Sequence, residues 1–274
     1  MFRFYEITDN DTADKISTST NSQSAVKARD LRSNDKNVLM MKKAYEQRYS
    51  DGYFITKRGE IVNTAKYNTD HIINLTDLGK QLITWHSQRP IIAYSETRIF
   101  DKYFSQLFRK DYAPEKMQAL NEMFRAVEAQ WTTENPFGIN DTILAMKSYM
   151  KYHHLYAISV FFNTINNMLD AVPDPAKALD ALKKNHLLDQ ILSMSAVSLN
   201  MAFESAMEDA QSAGKVFSPQ NWSKAKASLT AIRFSVHNQI NALGFLPGGA
   251  ELKKQLSSGL KLDNSDFEVR WTAD

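Results

Sequence analysis

Leu75-Thr76-Asp77-Leu78-Gly79-Lys80-Gln81-Leu82-Ile83-Thr84-Trp85 is the stretch where the chain turns helical. Its residues Leu75, Leu78, Leu82 and Trp85 fall three and four apart, the spacing that gathers side chains on one helix face. Arg89-Pro90 then breaks the helix, because proline disfavours helical backbone at the residue before it. The same pattern recurs downstream. Ser95 and Glu96, followed by Phe100, Tyr103, Phe104, Leu107 and Phe108, read as one capped helix with an aromatic face, ending before Asp111. That face is core material before it is a base-stacking platform fringed by Arg98, Lys102, Arg109 and Lys110. Pro114 opens the next helix, carrying Met117, Leu120, Met123, Phe124, Val127 and Trp131 and stopping at Asn135-Pro136-Phe137-Gly138. Asn140 or Asp141 caps a helix over residues 143–152, and residues 155–169 continue as a helix apolar enough for a central, buried position. Further helices are expected over 175–185, over 187–213 as the longest, and from Ser218-Pro219 through Trp222, Ala225, Leu229, Ile232, Phe234, Val236 and Ile240 to Gly244.

Working towards the N-terminus, the character changes near residue 65. Tyr53-Phe54-Ile55-Thr56 and Glu60-Ile61-Val62 flank Lys57-Arg58-Gly59 and read as a hairpin with Gly59 at positive φ. Val38-Leu39-Met40-Met41 and Ala44-Tyr45 suit a helix, residues 12–19 a short helix capped by Asp11 or Thr12, and residues 2–7 an aromatic-rich strand. The fold expected is therefore mainly α. A small α+β segment (residues 1–65: short strand, helix, polar turn, helix, β-hairpin) precedes a multi-helix domain (residues 66–274) with a seam near 170–175. Phe267-Glu268-Val269-Arg270-Trp271 is a candidate last strand.

Between the first two segments runs Thr20-Asn21-Ser22-Gln23-Ser24-Ala25-Val26-Lys27-Ala28-Arg29-Asp30-Leu31-Arg32, too polar for a core. The amides of Asn21 and Gln23, the hydroxyl of Ser22 and the cations Lys27, Arg29 and Arg32 suit a phosphate, a base edge or another backbone. The plainer function for Asn21 and the serines is to cap a helix beginning near Ser24. Lys36, Lys42, Lys43, Arg48, Lys57 and Arg58 extend the basic series, and Asp30, Asp35 and Glu46 interrupt it.

Here the chain resembles a family. Thr20-Asn21-Ser22-Gln23 with Val26-Lys27, Asp30-Leu31 and Asp35 is similar to a segment of the abortive-infection phage-resistance (AIPR) proteins of bacteria. Two further blocks strengthen the match: Leu75-Thr76-Asp77-Leu78, Trp85-His86-Ser87-Gln88-Arg89-Pro90 and Phe100-Asp101-Lys102-Tyr103-Phe104 with Leu107-Phe108, then Gly138-Ile139-Asn140-Asp141-Thr142-Ile143-Leu144-Ala145-Met146-Lys147. The resemblance spans roughly residues 1 to 165 and implies a role in phage defence. Members of the family are typically longer, with an Asn-Gly-x-Gln-Thr turn and often a nuclease-like segment ahead of this region. The chain thus looks like the C-terminal portion of such a protein, so no catalytic role is carried over. The partner implied is nucleic acid or a protein, an upstream nuclease-like half among the protein candidates.

Composition narrows the rest. Among 274 residues, 33 Lys and Arg face 31 Asp and Glu, so the net charge of +2 gives no global attraction to nucleic acid and any binding must rest on a local patch. The absence of cysteine removes disulfides, thiolate metal sites and cysteine nucleophiles, and fits a reducing cytoplasm. No signal peptide and no membrane-length apolar run is visible, so a soluble, cytoplasmic protein is expected, with no membrane partner. The histidines His71, His86, His153, His154, His186 and His237 show no ligand spacing, and neither a metal nor a cofactor is expected. His86 reads as packed at a helix end, and adjacent His153 and His154 as pointing apart. No phosphate-binding glycine loop or nucleophile elbow occurs, and Glu251-Leu252-Lys253 reads as surface helix. Catalysis is not expected. The alternative is a helical nuclease or ribonuclease-type toxin acting on phosphodiesters through Arg233 and His237 or through a metal bound by carboxylates, although the three residues between Arg233 and His237 are fewer than the ribonuclease motif uses.

Overall fold

The computed structural model describes residues 27–132, 134–135 and 138–272. The strand expected over 2–7, the helix over 12–19, and Asn21, Ser22 and Gln23 lie outside them. Lys27 is extended and leads into α1 (Ala28–Arg32), so the helix expected from near Ser24 begins at Ala28. Asp35 then accepts a 2.9 Å hydrogen bond from the Asn37 amide and caps α2 (Lys36–Arg48), which buries Val38, Met41 and Tyr45.

β1 (Tyr53–Ile55) pairs in parallel with β2 (Ile72–Asn74), placing Phe54 opposite Ile73. This corrects the hairpin expected through Lys57-Arg58-Gly59. Glu60 turns back to accept the Tyr53 hydroxyl and, at 3.2 Å, the Lys57 amide. Ile61 stands 96% exposed, so the arm Glu60-Ile61-Val62 has no apolar face to bury, whereas Ile73 is fully enclosed. Gly59 does take positive φ, 71°.

α3 (Leu75–Trp85) starts at Asn74, whose side chain accepts the Thr76 amide at 2.8 Å, and its Leu75, Leu78, Leu82 and Trp85 are wholly buried. It ends before Arg89-Pro90, because Gln88 at φ 55° has already turned the chain. The single helix expected from Ser95 is two, α4 (Glu96–Phe100) and α5 (Phe104–Leu107), and Ser95 makes no side-chain cap. The break frees the Phe100 carbonyl, which accepts Arg32 Nε at 3.1 Å. The aromatic face is core as expected, with the Phe108 ring stacked 5.4 Å from Phe100 and 5.0 Å from Phe104. Gly79 allows this cluster to reach α3, since a Cβ there would lie 2.9 Å from Ile99 Cγ2 and 3.0 Å from Phe108 Cζ.

α6 (Pro114–Gln130) follows as read, and Asn140 caps α7 (Asp141–Ala145). After a turn at Met146, α8 (Lys147–Ile165) runs unbroken where the sequence suggested a join, and it ends at Asn166, short of Leu169. Every residue of α8 from 152 to 162 is buried, and the helix packs against α3 and α6. β3 (Ala171–Pro173) and α9 (Pro175–Lys184) lead to α10 (Leu188–Ser212), which is followed by Gly214 at φ 66°. The single helix expected over 218–244 divides at extended Ala225 into α11 (Pro219–Lys224) and α12 (Lys226–Ala242). Phe234, expected on its apolar face, is 67% exposed. Both α10 and α12 flank α8.

α13 (Gly249–Gly259) is a surface helix with Glu251 exposed, and β4 (Phe267–Val269), the last strand, pairs antiparallel to β3. The protein is mainly α with a small α+β segment at the start. No helix among the described residues is long and apolar enough to cross a membrane.

Candidate anion-binding cleft

Much of the basic series of residues 27–58 is engaged within the fold. Arg29 is 7% exposed, its Nε and Nη2 buried without hydrogen-bond partners. Its charge bears on Asp77, whose carboxyl is raised by burial and pulled back by Lys80 and then by Arg29. Arg32, besides bonding Phe100, lays its guanidinium 4.4 Å over the Phe104 ring. Lys42 pairs with Glu46 at 3.4 Å and donates to the Phe54 carbonyl, and Arg48 pairs with Glu115. Lys27, Lys36, Lys43, Lys57 and Arg58 remain exposed, the last two beside Asp30 and Ser33 around an open hollow of about 480 Å³.

A different set of cations converges where α3, α8, α12 and the chain after β4 meet. The loop leaving α3 is fixed from inside: Gln88 Nε2 donates to the Trp85 carbonyl at 2.7 Å and to Ser159 Oγ on α8 at 2.9 Å. That anchors Arg89 at the rim. Trp85 Nε1 donates to the Pro173 carbonyl at 2.7 Å, which ties β3, and through it β4, to the same place. The Trp271 amide bonds the His86 carbonyl at 2.9 Å, and its ring stacks on His86 at 4.1 Å, so Arg270 is delivered beside Arg89. Lys226, Thr230, Arg233, Phe234 and His237 share one exposed face of α12, by their spacing of four, three, one and three.

The result is a cleft with two lobes that share Thr230, Arg233 and Arg270. The first, about 280 Å³, is lined by Arg89, Lys226, Arg233, Arg270 and Trp271. The second, about 390 Å³, is lined by Val160, Asn163, Leu169, Phe234 and His237. The two residues of the ribonuclease alternative thus do share a lobe.

None of Arg89, Lys226, Arg233 and Arg270 has a carboxylate within 4.0 Å among the described residues. Arg233 donates through Nε to the Tyr156 hydroxyl, and Arg270 through Nη2 to the Leu169 carbonyl at 2.8 Å. Arg270 Nε, Ser87 Oγ, Gln88 Oε1 and Asn163 Oδ1 are buried without partners. Burial pushes the Arg270 pKa down, and the neighbouring charges of Arg233 and Arg89 push it further, with Asp170 offsetting part. Like charges gathered with no carboxylate within 4.0 Å among the described residues raise the energy of the empty site, and a bound anion lowers it.

Beneath Trp271 lies a polar cluster that holds the strand. Glu268 pairs with Lys116, which also meets Asp174 at 3.0 Å, and Glu268 Oε2 lies 2.9 Å from His86 Nδ1, off the line of a good hydrogen bond. Burial raises the Glu268 pKa, but His86 and the Lys116 ammonium outweigh it and hold it at about 2. His86 is fully buried at its helix end, bonded to Tyr112 at 2.8 Å, and burial lowers its pKa. His153 and His154 do point apart: His153 Nε2 meets the Ser223 carbonyl at 2.9 Å, and His154 Nε2 meets Ser195 Oγ at 2.7 Å. Trp131 Nε1 donates to His154 Nδ1 at 3.1 Å, so the His154 proton sits on Nε2. No group of three histidine or carboxylate side chains among the described residues is placed to hold a metal ion.

Reading the sequence passed over Arg89, Asn163, Lys226 and Arg270. The stripe Lys226, Thr230, Arg233, His237 at helical spacing was the available signal. Arg89 and Arg270 carried none, because only the packing of β4 against the α3 loop joins them.

Fold and cleft together define a mainly helical protein with a cation-lined cleft. The chain belongs to the AIPR protein family, whose family model matches residues 1–226, and is thereby a protein of abortive-infection phage defence. Arg89 lies inside the matched span, and Arg233, His237 and Arg270 lie beyond it. No curated protein and no solved structure matches the chain.

Proposed function

We propose that the protein serves phage defence as a non-catalytic binding module that takes hold of nucleic-acid phosphates through the cleft of Arg89, Lys226, Arg233 and Arg270. The observation that carries this reading is the convergence of four cations with no carboxylate within 4.0 Å of them among the described residues. Guanidinium groups match phosphate oxygens in pairs, and the partly buried Arg270 has its positive surroundings offset only in part by Asp170. Exposed Lys27, Lys57 and Arg58 supply a second, weaker contact.

Fluorescence anisotropy with labelled single-stranded RNA and DNA tests it. Affinity is expected to fall between about 50 and 200 mM salt with a log–log slope of roughly −2 to −3, each phosphate contact contributing about −0.7. Affinity indifferent to salt and to Arg89→Gln would overturn the reading, and would leave a protein partner as the target.

A second reading has one observation in its favour, the sharing of a lobe by Arg233 and exposed His237. It makes the protein a nuclease, with His237 moving a proton and Arg233 stabilising the phosphorane. Incubation with RNA and DNA, with and without magnesium, separates the two: cleavage abolished by His237→Ala supports the nuclease, and binding without cleavage the module.

A further inference from the structure

The two lobes differ in chemistry, and the difference specifies a ligand. Phosphate alone needs only the first lobe, where Arg89, Lys226, Arg233 and Arg270 meet. The second lobe adds what an inorganic anion cannot use: the apolar side chains of Val160 and Leu169 and the exposed ring of Phe234. It also contains Asn163, 5% exposed, whose Oδ1 is buried without a hydrogen-bond partner among the described residues. A buried carboxamide oxygen left unpaired is costly, and the donor and acceptor of this side chain suit a ligand that offers the complementary pair.

We infer that the cleft takes a phosphorylated nucleoside, with the phosphate between Arg89, Arg233 and Arg270 and the base in the second lobe, against Phe234 and within reach of Asn163. This rests on the phosphate-binding reading and narrows it to one nucleotide. A lobe of about 390 Å³ is near the lower end of small-molecule pockets, which run from about 300 to 1,000 Å³, and suits a single nucleoside. A purely aliphatic anion, such as a fatty acid, would leave Asn163 unpaired. A base has both the flat face for Phe234 and the polar edge for the amide. Arg233 and Thr230 line both lobes and mark where the ligand's anionic and aromatic halves join.

Isothermal titration of the full chain with adenosine 5′-monophosphate, uridine 5′-monophosphate, adenosine and inorganic phosphate tests this. At least one mononucleotide is expected to bind about tenfold more tightly than either phosphate or adenosine. Phe234→Ala should weaken the mononucleotide about fivefold or more, as loss of base stacking does, and leave phosphate unchanged. Asn163→Ala should act in the same direction, and Arg233→Gln should weaken mononucleotide and phosphate alike. A short single strand bearing a 5′-phosphate, compared with its 5′-hydroxyl form, separates the sources. Tight binding of the phosphorylated strand assigns the site to strand ends, and binding of mononucleotide alone assigns it to a free nucleotide. If mononucleotide binds no better than phosphate and Phe234→Ala changes nothing, the two-lobe assignment is overturned while salt-sensitive strand binding stands. If phosphate, mononucleotide and strand all fail to bind, both readings fall.

Discussion

Two regions of this protein carry clustered positive charge, and they differ in how closely their uncommitted cations are gathered. In residues 27–60 the cations are the more numerous: Arg32 stacks on Phe104, Lys42 pairs with Glu46, Arg48 pairs with Glu115 and Arg29 is enclosed, while Lys27, Lys36, Lys43, Lys57 and Arg58 stand exposed along the surface. Around the cleft there are four, drawn from a loop, a helix and the segment after β4, and none has a carboxylate within 4.0 Å among the described residues. What makes a cationic site receptive is charge left over after the fold has formed its own pairs and gathered around one hollow, as Arg89, Lys226, Arg233 and Arg270 are. A charge already answered inside the protein must be released before it can serve a ligand.

The largest effect that would break this contrast concerns binding. Replacing Arg89 and Arg233 together by Gln is expected to weaken binding of a single-stranded oligonucleotide about a hundredfold at low salt, given about 1.5–3 kcal/mol per charged hydrogen bond. Circular dichroism should show the fold retained. The same replacement at Lys57 and Arg58 should cost less than about threefold, as solvated rim charges do. Equal losses for the two pairs would erase the distinction.

Next in size is an acid dependence on the cleft side. Glu268 anchors β4, and its pKa of about 2 lies below its ordinary 4.5. A carboxyl depressed in the folded state stabilises it fully above 4.5, and that contribution disappears as pH falls through about 2. Glu268→Gln is therefore expected to lower the unfolding free energy by about 2–3 kcal/mol at neutral pH. The gap to the parent should close between pH 4.5 and about 2 in urea titrations, and a gap constant with pH would contradict the pairing.

Arg32→Ala sharpens the other side. Loss of its bond to Phe100 and its stacking on Phe104 should destabilise the protein by about 1–2 kcal/mol in chemical denaturation and leave oligonucleotide affinity unchanged. The smallest effect has the opposite sign. Arg89→Gln removes like-charge repulsion with Arg270 and breaks no hydrogen bond, so the ligand-free protein should gain about 0.5 kcal/mol while its affinity falls.

Local pattern reached some of this architecture and missed the rest for physical reasons. Helix α3 was legible because a three-and-four spacing of Leu75, Leu78, Leu82 and Trp85 has one way to bury itself. The aromatic run 100–108 was legible as core but not as two helices. Its break serves Arg32, sixty-eight residues before Phe100, and no local rule registers such a partner. The hairpin at Gly59 failed for a similar reason: the turn chemistry was right, but Ile72-Ile73 offered β1 a better-buried neighbour than Glu60-Ile61-Val62 did. Arg233 and His237 were legible as a pair on one helix, and Arg270 was not, because its neighbours Arg89 and Arg233 are distant in sequence.

The amino-acid sequence by itself determined the class of fold and the family. Both reside in short-range order: helical periodicity, capping residues, proline and glycine stops, and blocks of consecutive residues in a fixed succession. Tertiary structure alone decided which charges are spent and which are free. An ion pair depends on where two side chains end up in space, and a cation's sign says nothing of whether the fold has set a carboxylate or a ring against it.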